Sequence, residues 1–285
     1  MEKISELQAV KSAIRRHFKA GMATNCVLND RDLIREIEAG ALYTEENEGA
    51  LLILRDRGSH YILNYYVNSI PLPPLPEKML VCEITARGGE NIRRDIVSAL
   101  AELGFSEGKR RERLCRGAGE PEENERGDIE FSAAEPCDLG AIEELFCTSF
   151  DALTGCLTPE RELSERIAAG EVFVARAGGE IAGAIETVSD KNFSSVRHLA
   201  VSEAFRGRGI GAGLVRAYLS ATGGKRSFVW TEPAKAAAYK TYLKCGYLED
   251  GNVSVATSII GSASFLGSSS AWPLHPDITA PSFGN

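Results

Sequence analysis

The stretch "FRGRGIGAG", residues 205–213, constrains this chain more than any other, with four glycines and two arginines in nine residues. Bare backbone at that density serves a flexible loop, a phosphate cradle or a dinucleotide fingerprint. The flanks decide between them. "SSVRHLAV" before it reads as a β run, while Ile210, Leu214, Tyr218 and Ala221 after it recur close to the period of a helix face. Gly223 and Gly224 then stop the helix. The glycines therefore sit in a strand-to-helix turn, where free N–H groups and the helix dipole make an anion site. The spacing is not GxGxxG, the strands before it read as hairpins, and no GxxxxGK[ST] occurs. The phosphate cradle is the reading that remains.

Other signals order the rest of the second half. "DIEFSAAE" predicts a strand, and "CDLGAIEELFCTSFDAL" a helix capped by Asp138. "TPERELSERIAAG" predicts a second helix, with Thr158 as cap, Pro159 in the first position and Gly170 at the end. "EVFVARAGGEIAGAIETVS" reads as two strands around a Gly178-Gly179 turn. After the cradle helix come a strand "RSFVWTE", a helix "AKAAAYKTYLKCG" and a strand "NVSVATSII".

A chain of 285 residues can form one large domain or two medium ones. The segment "RGAGEPEENERGD", 116–128, is the least core-like and predicts a solvated linker. The net charge of −8 argues against binding to nucleic acid. Seven scattered cysteines with no CxxC pair, and four separated histidines, spell no zinc site, so no metal is expected. The first residues are charged throughout, and no long apolar run occurs. A cytoplasmic protein with no membrane partner is the expectation.

"VRHLAVSEAFRGRGIGAGLVRAYL" followed by "AYKTYLKCGY" resembles the GNAT superfamily of acyl-CoA N-acyltransferases. The family pattern [QR]-x-x-G-x-[GA] is met by Arg206, Gly209 and Gly211. The resemblance implies that the backbone of Arg206, Gly207, Arg208, Gly209, Ile210, Gly211 and Ala212 holds the CoA pyrophosphate, the two arginines adding charge. It implies too that Leu199, Ala200 and Val201 line the pantetheine arm, one N–H polarising the thioester carbonyl. Tyr242 falls where the family has the tyrosine that reprotonates the thiolate. Tyr239 has the wrong spacing to Gly246 for that role. Lys235 departs from the asparagine that the family often has seven residues before the tyrosine. For the general base, Glu186 is placed ahead of His198 and Glu232, because carboxylates on the central strands of such a sheet often face the acceptor cleft.

The first half contains an amphipathic helix "SELQAVKSAIRRHF", a hairpin turning near Arg57-Gly58, a strand "KMLVCEIT", a helix "NIRRDIVSALAELGF" and a strand "KRRERLC". Its end matches the end of the second half: helix, Gly-aromatic pair, short turn, strand. We therefore expect a tandem arrangement on an α/β (α+β) plan, two GNAT-like domains, each a mixed, mostly antiparallel sheet flanked by helices. The expected division is a degenerate, non-catalytic domain at 1–116, a linker at 117–127, a catalytic domain at 128–262 and a low-complexity tail at 263–285. Degeneracy shows in "NSIPLPPLPE", which leaves no room for a cradle and helix, and in Leu100 at the place of Tyr242. The function implied is acetyl transfer from acetyl-CoA to a primary amine of a small molecule in a ternary complex. The alternatives are a peptide or protein amine as acceptor, or a CoA-binding regulatory protein.

Overall fold

The computed structural model describes residues 1–87, 94–121 and 127–259. The tail expected from 263, and the strand sought near "SASFLG", lie outside the described residues. Two compact units emerge: one of residues 1–82, 94–108 and 257–259, the other of 83–87, 109–121 and 127–256.

The first unit runs β1 (Glu2–Lys3), α1 (Leu7–His17), β2 (Ala23–Thr24), α2 (Asp30–Glu38), β3 (Leu42–Glu46), β4 (Ala50–Asp56), β5 (Tyr61–Val67), β6 (Leu80–Arg87) and α3 (Arg94–Glu102). Its sheet order is β1-β3-β4-β5-β6. The pairs β3/β4 and β4/β5 are antiparallel, and β5/β6 is parallel. Helices α1 and α2 lay Val10, Ala13 and Leu33 against Leu42, Leu51 and Ile53. Helix α2 begins in a capping box, in which Asn29 accepts from Asp32 N–H and Asp32 accepts from Asn29 N–H. No helix stands between β5 and β6, as the proline-rich segment predicts.

The second unit contains most of β7 (Ser106–Arg116), then β8 (Ile129–Ala133), α4 (Leu139–Ser149), α5 (Glu160–Ala168), β9 (Val172–Ala177), β10 (Glu180–Ser189), β11 (Phe193–Val201), α6 (Ile210–Ala221), β12 (Arg226–Thr231), α7 (Ala236–Lys244) and β13 (Leu248–Ile259). Its order is β13-β7-β12-β11-β10-β9-β8. Here too the step β11/β12 is parallel, while β8/β9, β9/β10, β10/β11 and β12/β7 are antiparallel. The β9–β10 hairpin turns on Gly178 and Gly179, both at positive φ, as a two-residue turn demands. One face packs α6 and α7 through Leu214, Tyr218 and Tyr242, and the other packs α4 and α5 through Ile142, Phe146 and Leu163.

Several sequence expectations differ from the fold. The expected first domain, 1–116, includes β7, yet Glu112–Arg116 pair antiparallel with Ser227–Thr231, and Leu114 is buried in the core beneath α6. The start of the expected linker is not free either. Gly119 N–H donates to Gly224 O at 2.8 Å, and Arg116 donates to Gly119 O and Glu120 O at 2.8 and 3.1 Å. The expected caps also do other work. Asp138 accepts from Glu135 N–H and pairs with Arg176 at 2.6 Å, and Thr158 turns its hydroxyl inward to Glu186.

Candidate active site

Strand β11 is paired along one edge with β10 as far as Val201, but with β12 only from Phe193 to Val196. A bulge at Arg197 separates the two stretches. Beyond it, Ser202 N–H donates to Ala182 O on the β10 side. Alternation along the strand then turns the N–H and C=O groups of Leu199 and Val201 the other way, toward the edge that β12 has left. The chain next makes a short turn at Glu203–Phe205 and enters α6.

Gly207 and Gly209 have φ of 79° and 77°, in the left-handed region where a side chain is strained. Gly209 is the N-cap of α6, and no side chain caps the helix. Gly211 has a different character. A Cβ there would meet nothing nearer than Thr241 Cγ2 at 3.5 Å, so neither packing nor φ demands glycine. Gly213 is glycine for packing, since a Cβ would lie 2.2 Å from Phe131 Cζ. The N-terminus of α6 thus presents uncapped amides over bare backbone, the donor set that suits a pyrophosphate. Of the two arginines, Arg206 reaches back to Val201 O at 3.4 Å. Arg208 is engaged by Asp128 and lies 5.7 Å from the Phe205 ring.

Helix α7 lies against this first turn, with Thr241 beside Gly211 and Cys245 Sγ 3.8 Å from Ala212 O. Tyr242, between them in sequence, is buried and meets Tyr247 edge-on at 5.5 Å. Its hydroxyl makes no hydrogen bond among the described residues. Burial, with Tyr218 and Cys245 nearby, pushes the phenol above its ordinary range, so it stays a proton donor. Tyr239 instead donates to Glu249. Tyr247 ends a buried hydroxyl chain that sequence reasoning missed: Ser194 to Tyr218 at 2.6 Å, Tyr218 to Ser227 at 2.5 Å, Ser227 to Tyr247 at 2.6 Å. Spaced serines on two strands give no signal of such a chain until the strands are paired.

Glu186 does not face an open cleft. It is fully buried, accepts from Thr158 Oγ1 at 2.7 Å and His198 Nδ1 at 2.6 Å, and pairs with Arg166 and Arg197 at 3.1 and 3.4 Å. Burial alone would raise its pKa. The His198 hydrogen bond, the charges of Arg197 and His198, and the Thr158 hydroxyl outweigh that and hold it at about 2. A carboxylate so saturated is a poor base at neutral pH. His198 is equally enclosed, its Nε2 2.9 Å from Gly155 O and its ring against Phe146 and Phe150. Glu232, at the end of β12, is half-buried beside Lys235, whose Nζ lies 5.4 Å from the Phe150 ring. Among the described residues, no three His, Cys, Asp or Glu side chains gather as a metal site, and no helix is long and apolar enough to cross a membrane.

Residues 148–260 match the family model described as "Acetyltransferase (GNAT) domain". This part of the chain is a GNAT domain. Solved structures agree at the level of fold. The chain aligns with a GCN5-related N-acetyltransferase from Sphaerobacter thermophilus at 14% identity and TM-score 0.53, covering 81% of this chain and 85% of that one. A GNAT-family acetyltransferase from Colwellia psychrerythraea aligns at 14% identity and TM-score 0.51, covering 90% and 98%. A tandem GNAT protein from the clavulanic acid biosynthesis pathway aligns at 11% identity and TM-score 0.50, covering 76% and 83%. No curated protein matches the sequence.

Proposed function

We propose that the GNAT domain transfers an acetyl group from acetyl-CoA to a primary amine of a small molecule, by direct attack in a ternary complex. The observation that carries this reading is the free edge of β11 at Leu199 and Val201, which leads into the uncapped, glycine-rich start of α6. Gly211, bare with no internal reason to be, supports a ligand that approaches the backbone closely there.

Bound acetyl-CoA would supply an activated thioester. In this reading the amides of residues 206–212 hold its pyrophosphate, and the N–H groups of Leu199 and Val201, with Ala200 between them, hold the pantetheine and polarise the acyl carbonyl. The amine would lose its proton to water before its nitrogen bonds to the acyl carbon; as the C–S bond breaks, Tyr242 would give a proton to sulfur, and its phenolate would regain one as the amide nitrogen sheds its second proton through water. Glu186 we reassign from base to positioning residue, since it ties Thr158, Arg166, Arg197 and His198 behind the strand. We further read the first unit as a degenerate copy without catalysis and 117–127 as the connection between the copies.

The test is thiol release from acetyl-CoA against a panel of small amines, lysine peptides and no acceptor. Release that depends on small amines is expected. Release with peptides alone would move the acceptor to the protein class, and binding without release under any acceptor would leave a CoA-binding regulatory protein.

A further inference from the structure

The two units each contain a parallel step at which one strand leaves its neighbour, and they treat the exposed edge differently. In the second unit, among the described residues, no strand pairs with β11 on that side beyond Val196. In the first unit, β6 accompanies β5 from Tyr61 to Leu63 and then parts from it. Strand β4 fills the opposite edge of β5 along its whole length, so β2, which pairs with Tyr66 and Val67, must lie on the edge that β6 leaves. The segment that reaches it belongs to the connection between α1 and α2.

That segment satisfies the freed edge group by group. Thr24 Oγ1 donates to Tyr65 O at 2.7 Å. Asn25 Oδ1 accepts from Tyr65 N–H at 2.8 Å, and Asn25 Nδ2 donates to Leu63 O at 3.1 Å. Asn25 is itself buried, and Thr24 Oγ1 also accepts from Cys26 N–H at 3.0 Å, which fixes the local turn. A carboxamide whose oxygen takes a strand N–H and whose nitrogen gives to the carbonyl two residues earlier does what a ligand amide laid along that edge would do.

We propose that residues 23–25 are a built-in plug of the first unit's ligand slot, with the Asn25 carboxamide in the place of a ligand amide, so that the chain has one acyl-CoA site and it lies in the second unit. The count of one, and the reading of this edge as a ligand slot, rest on the function proposed above; the hydrogen bonds that close the edge do not. Leu100 and the prolines explain why the first unit lacks catalysis, whereas the plug explains why its slot does not admit a ligand even where the strands still part.

Two measurements on the full chain test it. Titration with acetyl-CoA should give one site in wild type and none in Gly209→Asp, whose lesion is confined to the second unit. Hydrogen exchange without ligand should show the amide of Tyr65 protected in wild type and exchanging roughly tenfold faster in Asn25→Ala, with distant peptides unchanged as the check on folding. Two sites in wild type, or one surviving in Gly209→Asp, would overturn the proposal. So would an unprotected Tyr65 amide, or one whose exchange ignores the loss of Asn25. If wild type binds no acetyl-CoA, the functional reading falls, and the exchange result decides the plug alone.

Discussion

Replacing Tyr242 by phenylalanine is expected to lower kcat by about 10²–10⁴-fold while leaving acetyl-CoA affinity nearly unchanged. The side chain is buried against Tyr247, and among the described residues its hydroxyl has no hydrogen-bond partner that the fold would miss. Phenylalanine keeps the ring and its edge-on contact, so the variant should unfold at the wild-type temperature. What it removes is the proton donor. Because burial holds the phenol above its ordinary range, wild-type Tyr242 stays protonated through neutral pH. Steady-state rates with saturating donor, read beside a melting curve, check this. A variant that turns over at the wild-type rate would take Tyr242 out of the chemistry.

The second large effect is on stability. Glu186→Gln should destabilise the chain by about 3–5 kcal/mol at pH 7, the usual cost of removing one partner from a buried charge cluster. The change leaves Arg166 and His198, both buried, facing an amide, and a carboxamide NH₂ meets donors where acceptance is needed. The sign of the pH dependence follows from the carboxyl being held at about 2, below its ordinary value of 4.5. A depressed pKa contributes stability that is present above the unfolded-state value and lost as pH falls through the folded-state one. The difference between wild type and variant should therefore be full at pH 7 and shrink from pH ~5 toward pH ~2. Urea unfolding of both proteins across that range measures it. A difference that grows on acidification would contradict the ion cluster.

The contrast between these two residues shows what a sequence can carry. The place of Tyr242 on a helix was legible because a helix pattern ending in a Gly-aromatic pair fixes its offset, and the strand-to-helix turn at the glycines was legible from the β run before it and the helical period after it. Glu186 was misread because β10 is covered on both faces and six consecutive residues of it are buried. Alternation along such a strand cannot say which side chains reach solvent. Thr158 was misread for a related reason: its position before a helix fits a cap, and only the fold brings Glu186 within reach of its hydroxyl. Helix α2 was missed although its Asn29-x-x-Asp32 capping box stands in plain view. Its short polar sequence gave little apolar periodicity to follow. The placement of β7 could not be read at all, since the pairing partner of a strand is a property of the folded sheet.

The proposed activity requires that the start of α6 and the free edge of β11 bind acyl-CoA. Calorimetric titration of acetyl-CoA into wild type and Gly209→Asp tests it most directly. An aspartate there strains a left-handed backbone position and sets a negative charge among the amides meant for phosphate. Saturable binding by wild type and a loss of at least about 100-fold in affinity in the variant are expected. A folded wild-type chain that takes up no acetyl-CoA, or a variant that binds as tightly as wild type, would contradict it.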